Sequence, residues 1–261
     1  MPRQLMPGLW LLAGARGCNA YLLDAAGVTV LIDAGLASGA HALTREIEHL
    51  VATQHLDAPS LLLLTHAHPD HAGGAAAIRR HFGLRVALGA GDCEVAGGRL
   101  RAAHAMPSMA RRLPRWLRPR EGTMHGVEVD VALEGEVEVV TGLTAVPVPG
   151  HTAGSYCFVD SGRELAFVGD LVLSFPDGLA RPMRAISADD AQFVESLRRF
   201  SVQAPEVGCA GHGPPVLGRF GEALRGLAEQ PREAAPTPAR LWRRARRLAW
   251  FAYHYSRSSR P

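Results

Sequence analysis

Short apolar runs separated by glycine dominate the first third of the chain. GLWLLAG, NAYLLDA and VTVLIDAG are strand-sized, and the breaks at Gly17 and Gly27 read as hairpin turns. After Leu36 the pattern changes. Leu43, Ile47 and Leu50 recur at helical spacing, which predicts a helix over roughly 38–53. SLLLLT is apolar on both faces, as in a fully buried strand. Ala72–Phe82, small and Ala-rich at its start, reads as a second helix, and RVALGA as the next strand. This β-β-β-α-β-α-β order predicts an α/β sandwich rather than an all-β barrel.

Residues 97–126 interrupt the alternation. Several Arg, three Pro and an amphipathic centre predict an inserted helical arm. Strand patterning returns in VEVDVALEGEVEVV, LTAVPVPG, SYCFVD and ELAFVGDLVL. A helix around Ala188–Phe200 and a last strand, EVGCAG, follow. Beyond about Gly221 the pattern is helical and increasingly basic. The organisation expected is a body over 1–220 carrying the arm at about 97–126, and a basic amphipathic helical tail over 221–261.

Composition matters mainly through its unevenness. The formal net charge is +3, yet residues 232–261 hold eight Arg and one Glu, a net of +7, which leaves the body at −4. The body therefore gives no electrostatic reason to expect nucleic acid, while the tail does. All 28 basic residues are Arg, which excludes a catalytic lysine. Cys18, Cys93, Cys157 and Cys209 are scattered without CxxC spacing, suggesting neither a thiolate zinc site nor a disulfide framework. The opening RQLMPGLWLLAGARG has only one Arg before its apolar run, and Pro7 interrupts it, so it fits a signal peptide poorly. No run approaches the ~18 apolar residues that span a bilayer. The expected location is cytoplasmic.

The chemistry sits at strand ends. LLLLTHAHPDH drives a buried strand into His66, His68, Asp70 and His71 within six residues. Imidazole and carboxylate suit zinc, iron or manganese, and a tight Pro-containing turn can aim the first two donors one way and the last two another. Without a cation, crowded imidazoles repel as they protonate, and a buried aspartate lacks a partner. One loop cannot complete two coordination spheres. VPVPGHTAGS supplies His151, AFVGDLVL supplies Asp170 and VGCAGHGPP supplies His212, each where an apolar strand meets a Gly-containing turn. Ligand sites in open α/β sheets gather at such carboxyl ends.

HAHPDH followed in order by PGHTAGS, FVGD and GHG resembles the metallo-β-lactamase-fold hydrolases over about residues 8–218, the upstream NAYLL and LIDAGL segments included. The resemblance implies an αββα sandwich with a binuclear site at one edge of two sheets. It assigns His66, His68 and His151 to one metal, and Asp70, His71 and His212 to the other, with Asp170 bridging. Asp33 of LIDAG matches a position whose carboxylate supports the site from behind, by orienting a ligand histidine; a strand-end turn former is the plain alternative. Two zinc ions per chain are expected, with iron or manganese as alternatives.

Two metals about 3.5–4 Å apart share a water and lower its pKa toward 7, so a bridging hydroxide is the expected nucleophile. Asp170 and Asp70 would be the catalytic carboxylates, Asp70 also steering the hydroxide or relaying its proton. The substrate expected is a small-molecule ester, thioester or lactone, as in glyoxalase II-like and lactonase-like relatives. LVLSFPDGLARP stands where glyoxalase II relatives carry a Gly-Cys-Gly-Arg-like stretch, which argues against a glutathione thioester. The alternatives are a phosphodiesterase or nuclease of the same fold, and a mononuclear-iron non-hydrolytic member.

Three further features carry weaker expectations. Met106, Met109, Leu113, Trp116 and Leu117 of the arm either line an apolar pocket or seat the arm, and His104 and His125 read as surface residues. Arg181 and Arg184 either hold an anionic group or are solvated. In the tail, Leu241, Ala245, Leu248, Ala249 and Ala252 form an apolar face flanked by Trp242 and Trp250, with Arg243, Arg244, Arg246 and Arg247 mostly opposite. Such a helix docks on its own domain, with Arg outward, or touches an anionic membrane peripherally; nucleic acid is the less favoured partner. Oligomeric state is not legible.

Overall fold

The structure is a computed structural model describing residues 1–97, 126–231 and, in the tail, 242, 245–247, 249 and 250. The arm lies outside the described residues except for its two ends, and so do its Met, Leu and Trp positions, His104 and His125.

Two sheets form the centre. The first runs β1 (Arg3–Met6), β2 (Leu9–Leu12), β3 (Ala20–Ala25), β4 (Val28–Ile32), with α1 (Ala40–Gln54) leading to β5 (Leu61–Leu63). Then come α2 (Pro69–Ala72), α3 (Ala75–Phe82), β6 (Arg85–Gly89), α4 (Cys93–Ala96) and β7 (Val131–Leu133). The second sheet comprises β8 (Val137–Val140), β9 (Leu143–Pro147), β10 (Tyr156–Asp160), β11 (Leu165–Phe175) and β12 (Gly178–Ala180). It is completed, after α5 (Asp190–Val202), by β13 (Val207–His212), and α6 (Phe220–Glu229) follows. The spatial order of the first sheet is β1 through β7 in sequence order; that of the second is β12-β11-β10-β9-β8, with β13 parallel to β11.

Side-chain alternation makes four layers of these elements. In β3, Tyr21 and Leu23 point between the sheets, where they meet Phe158 and Phe167. Leu22 points outward, under Leu43, Ile47 and Leu50 of α1 and Ile78 of α3. In β11, Leu165 and Phe167 face inward while Ala166 and Val168 pack on Phe193, Leu197 and Phe200 of α5 and Leu224 of α6. Both sheets are thus covered on both faces, the αββα arrangement expected, and each fully buried Leu or Phe contributes about 1.5–3 kcal/mol.

Local expectations failed where tertiary contacts won. Gly17 is not a tight hairpin turn. It lies in the seven-residue link between β2 and β3, where Leu36 N–H bonds to the Arg16 carbonyl and the Asn19 side-chain amide donates to the carbonyls of Ala210 and Gly213. The helix expected over Ala72–Phe82 is two helices, parted at Gly73–Gly74, where Gly74 N–H turns to the Gly35 carbonyl.

Arg181 is engaged by the chain itself. Its guanidinium donates to the carbonyls of Leu227, Ala228 and Gln230, closing the C-terminus of α6, and Arg184 pairs with Asp190. The tail's orientation also departs from expectation. Arg247 faces the body, ion-paired to Asp177 at 2.9 Å with its guanidinium over the Phe175 ring, and Trp250 packs edge-on against the same ring. Ala245 and Ala249 are exposed, as is Trp242, with Arg246 over its ring. The Asp177 carboxylate at the β11–β12 turn selects Arg247, a choice that helical periodicity does not encode. Among the described residues no helix is long and apolar enough to cross a membrane.

Candidate metal centre

Parallel pairing of β4, β5 and β6 sends their carboxyl ends to one edge of the first sheet. β4 ends next to Asp33, β5 opens into His66, and β6 runs into the turn that carries Asp92. His66 and His68 extend from β5. Pro69 then starts the one-turn helix α2, since a residue without an N–H and with fixed φ suits a first helical position. That turn carries Asp70 and His71 to the other side of the loop. From the second sheet, His151 follows β9, and His212 is the last residue of β13. Asp170 lies within β11, at a register irregularity against β13 that spans Gly169 to Leu173.

All seven predicted donors meet. His66 Nε2 is 3.0 Å from His68 Nδ1, which is 3.1 Å from His151 Nε2. Opposite, His71 Nε2 and His212 Nε2 are 3.3 Å apart, with Asp70 Oδ2 3.5 Å from His212 Nε2. Asp170 lies between the two groups. Its Oδ2 is 3.4 Å from His151 Nε2, and its Oδ1 is 3.4 Å from both His71 and His212. Each triad His66–His68–His151 and Asp70–His71–His212 brings its ligand atoms within 4.8 Å of one another.

Hydrogen bonds behind the site settle which nitrogens face inward. Asp33, buried at 2% exposure, takes the Thr65 N–H on one oxygen. On the other it takes the Thr65 hydroxyl and the His71 Nδ1–H, each at 2.8 Å. The Thr65 oxygen lies 3.1 Å from His66 Nδ1 and, its own proton being given to Asp33, accepts from it. In their neutral forms His66 and His71 are thereby left with bare Nε2 lone pairs aimed at the centre. Thr65 was missed in the sequence because its hydroxyl carries no motif; its place between a strand and the first histidine was the available signal.

Such an arrangement does not stand on its own contacts. Ring nitrogens converge at 3.0–3.3 Å, and the buried Asp170 Oδ1 has no hydrogen-bond donor within bonding geometry among the described residues. Polar atoms packed this closely away from water call for positive charge among them, supplied by bound cations or, in the metal-free chain, by protonated His71 and His212. Borderline nitrogen and hard oxygen donors, imidazole and carboxylate atoms on each side of Asp170, fit divalent cations of the zinc, iron or manganese kind. Cys18, also buried, offers its sulfur near Asp33 and His71. Burial pushes its thiol up to about 11, so it stays protonated at neutral pH.

The two halves titrate in opposite senses. Burial, and then neighbouring imidazoles, hold His66 well below the usual 6.5 and bring His68 to about 4. Burial also pulls His71 and His212 down, but it is outweighed. The charges of Cys18 when ionised, Asp33 and Asp170 raise His71, and Asp170 and Asp70 raise His212. Asp170, pushed up by burial, is carried well below the carboxylate range by His212 and His71. In the metal-free chain the contribution of His66 and His68 to stability is therefore complete above pH 6.5 and lost as pH falls toward 4. That of His71 and His212 is complete below 6.5 and lost as pH rises through their raised values. Imidazole ring-proton NMR of metal-free protein should show His68 half-titrated near pH 4 while His71 and His212 remain protonated above 6.5. A common midpoint near 6.5 would contradict this polarity.

Comparison with known proteins follows the same lines. The family model described as Metallo-beta-lactamase superfamily matches residues 13–221. A hydroxyacylglutathione hydrolase of Cereibacter sphaeroides is 33% identical over 154 residues, 58% of this chain and 47% of that protein. An atrochrysone carboxyl ACP thioesterase of Aspergillus fumigatus is 26% identical over 77% of this chain and 52% of its own length. The chain spans about half the length of these curated relatives. Among solved structures, a metallo-beta-lactamase family protein from Thermus thermophilus superposes with a TM-score of 0.63 at 24% identity, covering 96% of this chain and 84% of that one. A second solved structure, of a protein crystallised in a di-iron-bound form, superposes with a TM-score of 0.58 at 28% identity over 82% of this chain and 93% of that one.

Proposed function

The chain belongs to the metallo-beta-lactamase superfamily, and from that premise we propose that it is a metal-dependent hydrolase of a small-molecule thioester, ester or lactone. In this reading His66, His68 and His151 hold one zinc ion and Asp70, His71 and His212 the other, with Asp170 between them. The observation that carries it is the buried Asp170 carboxylate, facing imidazole nitrogens on both sides with one oxygen lacking any donor. Divalent cations held by these residues would supply Lewis acidity, lowering the pKa of a bound water and polarising an acyl carbonyl.

The chain's own groups divide the remaining work. Asp33 and Thr65 keep His71 and His66 in the tautomers whose Nε2 faces inward. Asp70, 21% exposed, lies toward solvent from the buried Asp170 and is placed to pass a proton between the nucleophilic water and bulk. His68 is the least buried of the three histidines in its triad.

An acyl substrate is favoured because the names of two relatives specify acyl chemistry, a hydroxyacylglutathione hydrolase and an ACP thioesterase. Glutathione is not the acyl carrier we favour, since LVLSFPDGLARP follows Asp170 and its Arg181 is engaged with the end of α6. Metal analysis of purified protein, with a panel of thioesters, esters, lactones and bis-p-nitrophenyl phosphate, tests the reading. Two metal equivalents and acyl turnover are expected, with turnover more than about a hundredfold lower in His68→Ala. Phosphodiester turnover without acyl hydrolysis would replace the substrate class, and folded protein free of metal would end the proposal.

A further inference from the structure

His66 and His68 belong to one sheet and His151 to the other, and the loops after β5 and β9 share a backbone bond from the Tyr156 N–H to the Thr65 carbonyl at 2.8 Å. A third segment adds side-chain bonds to both. Asp92, just beyond β6, is buried at 3% exposure, and among the described residues its carboxylate is met by backbone N–H and hydroxyl donors. One of its oxygens accepts the Ala67 N–H at 2.9 Å, between the two histidines of the first loop, and the Thr152 hydroxyl at 2.7 Å, next to His151. Its other oxygen accepts the Gly154 N–H at 2.9 Å. Ser155 extends the chain by accepting the Thr152 N–H at 3.0 Å, its hydroxyl lying 2.7 Å from the Thr152 oxygen. A buried carboxylate needs several strong donors in place of water, and here they are drawn from both metal-site loops.

Packing makes the contact close. A Cβ on Gly89 would come 2.2 Å from the Gly154 carbonyl oxygen, one on Gly91 2.7 Å from the Ala153 carbonyl carbon, and one on Gly154 2.6 Å from Asp92 N. The two segments therefore approach closely enough that backbone atoms are the nearest neighbours of each glycine.

We propose that the Gly89–Asp92 turn is a clamp that holds His151 opposite His66 and His68, with the Asp92 carboxylate as the positioning group for the first metal. This rests on the metal-centre reading for its consequence, but the clamp itself is a property of the metal-free chain. Asp70, His71 and His212 receive no bond from Asp92, so the effect is confined to one half of the site.

The test uses the full chain as wild type, Asp92→Ala, Asp92→Asn and Thr152→Val, the last removing only the hydroxyl link. Amide hydrogen exchange of metal-free protein is read at Ala67 and Gly154, with Ala34, bonded to the His71 carbonyl, as reference. Exchange at both clamp amides should rise more than about tenfold in Asp92→Ala while Ala34 is unchanged. Cobalt(II) titration against a competing chelator should show the three-histidine site weakened by about 10–100-fold and the other site within about twofold, with Asn and Thr152→Val intermediate. Unchanged exchange at Ala67 and Gly154, or exchange rising equally at Ala34, overturns the clamp. Two wild-type cobalt affinities in Asp92→Ala overturn its role toward the metal. Wild-type protein that binds no cobalt removes that role together with the metal-centre reading, while the exchange result still decides the clamp.

Discussion

Asp170→Ala is expected to abolish turnover, by on the order of 10³-fold or more, and to release metal from both halves of the site. The magnitude follows from the several kcal/mol a metal centre contributes to the transition state, at about 1.36 kcal/mol per decade. The sign follows from position. Asp170 alone faces both groups of ligands, with Oδ2 3.4 Å from His151 and Oδ1 3.4 Å from His71 and His212. Every other donor serves one side. Its loss also strips His71 and His212 of a counter-charge, so their raised pKa values should fall in the metal-free variant. Elemental analysis, steady-state kinetics and a thermal melt of the same preparation check the result. A folded Asp170→Ala protein that keeps two metals and wild-type turnover would remove the bridging role and, with it, the mechanism.

Gly213→Ala should be among the most damaging small substitutions in the body. Gly213 has φ +90°, where L side chains are strained, and an added Cβ would lie 1.8 Å from the Ser174 carbonyl oxygen on β11. Backbone strain and overpacking each cost about 1–3 kcal/mol, so about 3 kcal/mol or more is expected together. In a chain of this size that lowers Tm by about 6–12 °C. Because Gly213 follows His212 directly and its carbonyl accepts from the Asn19 amide at 2.6 Å, metal affinity should fall along with stability. Differential scanning calorimetry on metal-free and metal-loaded protein separates the two effects. A melting point within about 2 °C of wild type would mean the β11–β13 approach is looser than described.

Much of this was readable in advance because it rests on local rules. An apolar strand ending in imidazoles and carboxylates needs no partner to be recognised, and HAHPDH, GHTAGS, FVGD and GHG stand out residue by residue. The same holds for the alternation of β3 and β11 and the helical spacing of Leu43, Ile47 and Leu50. What failed were local readings that a distant neighbour overrides. Gly17 looked like a hairpin turn because glycine permits one, yet Leu36 and Asn19 tie that link to other segments. Arg247 belonged to a polar stripe until Asp177 and Phe175 drew it inward. Asp92 carries no motif, and its partners lie 25 to 62 positions away.

The sequence by itself determined the donor set and the strand ends that bear it, because metal-binding side chains and strand periodicity are properties of single short segments. Only the tertiary structure decided that these segments face one another at 3.0–3.5 Å, that Asp170 looks both ways, and that Asp33, Thr65 and Asp92 hold the donors in place. Apart from the contacts of Thr65, His66 and His68 within one loop and that of His151 with Asp170, those are relations between residues from 25 to more than 140 positions apart. Sheet pairing and close backbone packing bring them together, and neither is written in any one stretch of chain.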